Sequence, residues 1–368
     1  MKNNILLNIL WASLLFCGCA SDDGKLAPTY ADIDWFAIQP SDDPLDGLRY
    51  DIYKNNRISV YYNDTIGSQY RGMSGYGDSV IHYEILDLCY TIEENNQTVE
   101  YMLSTDRDKL YDAVRFIQQK VIPDIPAVAY PKSFLLVKEL ILNTTSSTTM
   151  RTGKTWTAMM TTAVGNVEDI QGMTTEEQND FAAEITGATC GAYLYSNPTE
   201  QVENFYALSE KLAEWADPEA GHTIYNCVLD NYYKDPRDAH PAFDIWYGFG
   251  FLAPNPDGRY ADVDEYTTPT KAQDLAAYLK ATLLYGDDLN LFRENMKKEM
   301  NEIIPDFLEE NLDKNDLKDL TEQEFQELVD EYAEYYMEIL LDKYRNALLF
   351  ANELKTMTKN NSENLKIR

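Results

Sequence analysis

Apolar residues along the chain fall into three kinds of run, and each predicts a different element. Alternation over Leu48–Ile66 reads as extended chain, with Ile58–Tyr62 a strand that ends at the turn signal Asn63-Asp64. Gly67–Gly77 is rich in glycine and tyrosine and reads as a loop, followed by an extended or mixed stretch over Val80–Ile92. Within Asp106–Ile122, Leu110, Val114, Ile117 and Val121 recur at helical spacing until Pro123 stops the helix. Phe134–Leu142 is a continuous apolar run flanked by Pro and Asn, which predicts a buried strand, and Trp156–Val164 predicts the next.

Helical spacing dominates after that point. Thr174-Thr175-Glu176-Glu177 is a helix start, with a threonine to accept from the first free amides and acids at the positive end of the dipole. It feeds a helix through Phe181–Tyr195. Further helices are predicted over Gln201–Trp215 and Thr270–Leu284, and over Leu289–Lys359 with breaks near Pro305 and Leu312–Leu320. Asp217–Tyr266 reads as long ordered loops between them. The layout is α+β, a small mixed part over 29–170 and a mainly helical part over 171–368, and a single compact unit would give the same pattern.

The first residues change the picture of where the protein works. Lys2 and the apolar run Ile5–Phe16 form a segment too short to span a bilayer, which needs about 20 residues, and read as a signal peptide over 1–18. Gly18-Cys19 after such a run resembles a bacterial lipobox, which implies lipidation of Cys19 and a tether over 19–28. The acids of Ala20-Ser21-Asp22-Asp23-Gly24 resemble the tag that routes Bacteroidetes lipoproteins to the outward face of the outer membrane. Attachment then rests on acyl chains, several of which anchor where one would not.

Composition narrows the partners. At 44% hydrophobic and 12% aromatic the chain has ample material for a core. A formal charge of −31 argues against nucleic acid and anionic lipid, and favours neutral glycans, basic peptides, divalent ions or another protein. Once Cys17 and Cys19 are set aside, Cys89, Cys190 and Cys227 remain, with no CxxC spacing; one disulfide is possible, and a cysteine metal site is not supported.

Candidate chemistry is thin. His82, His222 and His240 are scattered; the last two lie near Asp230, Asp235, Asp238 and Asp244 without ligand spacing. Asn255–Glu265 carries four carboxylates around a glycine but lacks EF-hand order, and Asp313–Glu324 has Leu317 and Lys318 where a ligand and the glycine belong. Asp64-Thr65-Ile66 and Asp78-Ser79-Val80 resemble the short acceptor of Bacteroidetes O-glycosylation, which marks Thr65 and Ser79. Among the 27 tyrosines and the other aromatics, Tyr193, Tyr195, Trp246, Tyr247, Phe249 and Tyr260 are the expected walls of a ligand cleft, since flat rings carry sugars or peptide side chains. There is no phosphate loop and no GxSxG elbow.

Several pieces in order resemble one family. Tyr53–Tyr62, a helix, Pro131–Val137, a second helix, Tyr247-Gly248-Phe249-Gly250-Phe251 and a further helix resemble the zinc-binding metallopeptidases, or substrate-import-associated zinc metallohydrolases, found among Bacteroidetes lipoproteins. The resemblance implies a zincin-like scaffold and an HExxH helix, in which histidines at i and i+4 hold zinc and the glutamate polarises water. The window here reads Ala183-Glu184-Ile185-Thr186-Gly187: the glutamate stands, and Ala183 and Gly187 take the ligand positions. The family's acidic EDFxE pattern is matched only by Gln273-Asp274-Leu275-Ala276-Ala277. Resemblance and departures together imply a lipoprotein with vestigial Glu184, no metal and no cofactor. It would hold peptide or glycan beside a SusC/SusD-type uptake system, or serve that complex as a purely structural partner. The alternative is an active hydrolase of peptides or glycans, with zinc or with Glu184 as a general base alone.

Overall fold

The computed structural model describes residues 33–90, 97–144, 150–213, 223–229, 245–255, 266–311 and 320–366, and its first regular element is a helix where alternation predicted a strand. In α1 (Pro44–Asn56) the Asp43 carboxylate accepts from the amides of Leu45 and Asp46, Pro44 takes the first turn, and Arg57 closes the helix at φ 60°. Leu45 and Ile52, two turns apart, are the buried pair. Leu48, Tyr50 and Ile52 alternate by accident of composition, and the Asp-Pro start decides the outcome.

The α+β class holds. A four-stranded mixed sheet lies early in the chain, in the order β1 (Ser59–Tyr61), β5 (Ser133–Leu136), β9 (Thr161–Val164), β8 (Thr155–Thr157). The first three run parallel and β8 is antiparallel to β9; Val60 pairs Phe134, which pairs Thr162. Every residue of β1, β5 and β9 is buried, as in a sheet covered on both faces. A second, antiparallel sheet joins β4 (Gln97–Met102), β6 (Glu139–Thr144) and β7 (Met150–Gly153).

Two predicted strands thus prove to be two each. Phe134–Leu142 divides at Val137-Lys138, where Val137 N–H donates to Val164 and Lys138 N–H to Met102, so that one apolar run serves both sheets. Trp156–Val164 folds into the β8–β9 hairpin, closed by Ala158 N–H to the Thr161 carbonyl at 2.9 Å. Buried runs on either side of a turn have no polar alternation to mark it. The predicted Gly67–Gly77 loop is the centre of a ribbon, β2 (Thr65–Met73) with β3 (Ser79–Ile85), turning through Ser74–Asp78.

α2 (Arg107–Phe116) is capped by Asp106 and widens into a π turn over Ile117–Val121 before Pro123, with Leu110, Val114, Ile117 and Val121 all buried as their spacing predicted. Reciprocal capping boxes open α3 (Thr175–Ser196), through Thr174 and Glu177, and α5 (Lys271–Tyr285), through Thr270 and Gln273. Between them lie α4 (Glu200–Leu212), a 3₁₀ turn over Trp246–Phe249 and a short antiparallel pair, β10 (Val228–Leu229) with β11 (Tyr266–Thr267). α6 (Leu289–Asn311) runs through Pro305 without the predicted break, with Ile304, Phe307 and Leu308 fully buried around it. Packing of that turn outweighs the roughly 3 kcal/mol an interior proline costs. α7 (Glu322–Lys366) outruns its predicted end at Lys359 and, by its length, reaches about 68 Å. The predicted break at 312–320 falls almost wholly outside the described residues, as does most of 217–266.

One apolar core extends in sequence from Leu45 to Leu354, and a smaller one around Leu135, Leu140 and Trp156 lies with the second sheet. Residues Phe36–Arg368 group as one unit, with Met1–Trp35 assigned to another. Among the described residues no helix is long and apolar enough to cross a membrane.

Phe134, fully buried in the central strand, is expected to cost about 3–5 kcal/mol on substitution by alanine. Tyr76→Ala, at a side chain 97% exposed, should stay within about 0.5 kcal/mol. Urea denaturation followed by far-UV circular dichroism measures both.

Candidate functional site

The helix that carries Glu184 is held on both sides. Phe181 stacks on Phe116 of α2 with ring centroids 5.7 Å apart, and the opposite face of α3 lies along α5. Ala183, Gly187 and Gly191, one turn apart, form that second face. A Cβ on Gly187 would stand 2.6 Å from the Ala276 carbonyl oxygen and 3.1 Å from the Lys280 amide nitrogen; on Gly191 it would stand 3.0 Å from the Ala272 carbonyl. The glycines therefore let two backbones touch.

Glu184 points off this seam into a group of charges. Its Oε2 lies 3.3 Å from Lys154 Nζ and 3.4 Å from Lys280 Nζ, and Lys280 also reaches Asp180 at 2.8 Å. Burial pulls the Lys280 ammonium down, and the neighbouring Glu184 and Asp180 outweigh it, so its pKa stands above the ordinary lysine value. Both ammonium groups thus engage the same oxygen of the Glu184 carboxylate.

Zinc does not fit this window. Ala183 and Gly187 have no lone pair to give, and the backbone of α5 fills the space an imidazole at 187 would need. Among the described residues no group of three His, Cys, Asp or Glu side chains could hold a metal ion.

No family model, curated protein or solved structure matches the chain.

Three of the six expected cleft walls are core residues. Trp246, Tyr247 and Phe249 are buried in the core, where the 3₁₀ turn packs on α7, because a WYGF turn gains more by burying its rings than by lining water. Tyr193 and Tyr195 are half-buried against the same core. Tyr260, Cys19, His222, His240, the acidic residues near them, 256–265 and 313–319 lie outside the described residues. Thr65 and Ser79 are exposed, the first at the base of β2 and the second at the start of β3. His82 pairs with Glu84 at 3.0 Å, and Cys89 and Cys190 are free thiols.

The most perturbed groups belong to none of the motifs. Lys343 of α7 is fully buried, and its Nζ donates to Asp274 Oδ2 at 2.5 Å and to Ser209 Oγ at 2.6 Å. Tyr225 OH donates to the same Asp274 oxygen at 3.0 Å, while Asp274 Oδ1 is buried without a hydrogen-bond partner. Phe205 and Phe251 present their rings to the ammonium at 4.4 and 4.6 Å. Gly250, at φ 76°, lets the chain pass: a Cβ there would meet Lys343 Cδ at 3.2 Å. Burial lowers Lys343 to about 8 despite Asp274, and burial raises Asp274 despite Lys343 and Tyr225. Both shifts have one cause, loss of water around a charge. A signal was present: Tyr336, Leu340, Lys343, Ala347 and Phe350 fall on one stripe of α7, so a lysine sits where the pattern wants an apolar residue.

Gly187→His is expected to destabilise by about 1–3 kcal/mol or more, and added zinc should not recover it, as a thermal melt with and without the metal will report. Lys343→Met should cost about 3–5 kcal/mol by stranding a buried carboxylate, and Lys343→Met/Asp274→Leu should recover most of that loss. Because the folded lysine releases its proton at about 8 and the unfolded one near ~10.4, the unfolded state holds more protons between those values. Wild-type stability should therefore rise relative to the double variant as pH climbs through that interval. Denaturant titrations of both proteins across it measure the gap.

Proposed function

We propose that the chain is an outward-facing lipoprotein, anchored through Cys19, built on a metallopeptidase-like scaffold without metal or catalysis. It acts as an accessory or ligand-binding component of a SusC/SusD-type uptake system, for peptide or glycan. The observation that carries the reading is the α3–α5 seam. The two helices to which the resemblance assigns zinc ligands do lie against each other, and position 187 faces position 276. The place between them is filled by backbone, and Glu184 is engaged by Lys154 and Lys280. The order strand, helix, strand, helix, aromatic turn, helix over β1, α2, β5, α3, Trp246–Phe249 and α5 supports the scaffold. The seam keeps the shape of such a protein and removes its chemistry.

The purified protein should contain substoichiometric zinc and should hydrolyse neither peptide nor glycan, with Glu184→Gln indistinguishable from wild type in both assays. Stoichiometric zinc with hydrolysis lost in Glu184→Gln would reverse the reading. Labelled palmitate should enter the wild-type chain and not Cys19→Ala, and a transporter pair should co-purify from native outer membrane.

A further inference from the structure

The β2–β3 ribbon is built inside out. Pairing sets Tyr70 opposite Ile81 and Ser68 opposite Tyr83, so Tyr70, Ile81, Tyr83 and Ile85 share one face, each 46–56% exposed. Gln69, His82 and Glu84 take the other face and are only half-exposed, with Gln69 Oε1 buried. A two-sided strand pair in water normally shows its polar residues and hides its apolar ones. Among the described elements the ribbon's one extensive contact is between its own strands, and an isolated two-stranded hairpin is marginal unless its apolar face is covered. Exposed large side chains are also concentrated here: Met73 and Tyr76 extend the series to the tip.

Charge says what kind of surface covers it. Glu84 pairs with His82 on the other face and Asp64 accepts from Tyr101, so the acids left to the margin are Asp78 and Asp87, with Arg71 the one cation among them, on a chain of net charge −31. A second copy would bring acidic margin to acidic margin, and an anionic lipid surface would be repelled by the same field. We propose that the outward face of the ribbon docks a partner protein through a complementary strip, apolar at its centre and edged with lysine or arginine. Such a contact buries Tyr70, Ile81, Tyr83 and Ile85 and leaves the acids at a wet rim, where they set encounter rate and salt dependence. The proposal goes beyond the function above and does not rest on it, since metal content and hydrolysis leave it untouched.

The test uses the full chain and a defined probe: a fluorescent cyclic β-hairpin peptide with isoleucine and tyrosine on one face and lysines along its edges. Fluorescence anisotropy should report saturable binding that weakens at least about tenfold when the lysines are replaced by glutamates, and by a similar factor in Ile81→Ser/Tyr83→Ser. Asp78→Lys keeps the apolar strip and should weaken binding at about 0.05 M salt but much less at about 0.3 M, where screening removes the rim's share. Unchanged thermal melts of the variants would show that the rest of the fold is intact. The proposal is overturned if the lysine peptide does not bind saturably or if both peptides bind alike. It is equally overturned by a dimer in sedimentation that Ile81→Ser/Tyr83→Ser dissolves, or by ribbon-dependent co-sedimentation with phosphatidylcholine vesicles.

Discussion

A lysine ammonium and an aspartate carboxylate, both without water, hold the helical half of this protein in register. Lys343 comes from the long C-terminal helix, Asp274 from α5, Ser209 from α4 and Tyr225 from an intervening loop, and all four polar groups meet within hydrogen-bond distance. Removing two charges from water costs several kcal/mol per ion, and the attraction between them offsets this only when the geometry is close and the remaining donors find acceptors. Here the ammonium has two acceptors and four aromatic rings around it, while one carboxylate oxygen has no hydrogen-bond partner. The arrangement adds little net stability over a well-packed methionine and leucine. A 45-residue helix with a repeating apolar stripe can slide by one turn at small cost, and a buried cation that must find one carboxylate forbids it.

The same logic of fixed register operates at α3 and α5 by steric means. Small residues at one-turn intervals bring two backbones into contact, so that any larger side chain at 187 or 191 must push the helices apart. Around that seam the charges Asp180, Glu184, Lys154 and Lys280 close over the exposed edge. The resulting interface is backbone against backbone, with little side-chain bulk between the helices.

Much of this was legible in the chain, for identifiable reasons. The α+β layout, α2 with its four buried positions, and the starts of α3 and α5 were all written in local signals, either 3.6-residue spacing or a threonine with its partner three residues on. Where local signals were silent or misleading, tertiary packing decided. Alternation in α1 carried no information about burial. The split of Phe134–Leu142 between two sheets follows from where Val164 and Met102 wait, which is a long-range fact. The absence of donors at 183 and 187 could be read directly, but not that the α5 backbone lies against position 187. Lys343 was visible as an anomaly in a core stripe, yet its partner 69 residues away was not. Aromatic clusters misled most, since the same rings that line a cleft fill a core, and only burial separates the two.

The pairing of β2 with β3 slips twice, between Thr65 and Gly67 and again between Tyr70 and Met73, and Gly72 sits at φ 110° near the second slip. Irregularities of this kind bend and twist a strand, so its outer row of amides and carbonyls no longer lies along a straight line. A neighbouring extended segment cannot zip onto such an edge over any length. The arm can thus stay greasy on its flat side without seeding fibrils when many copies crowd together.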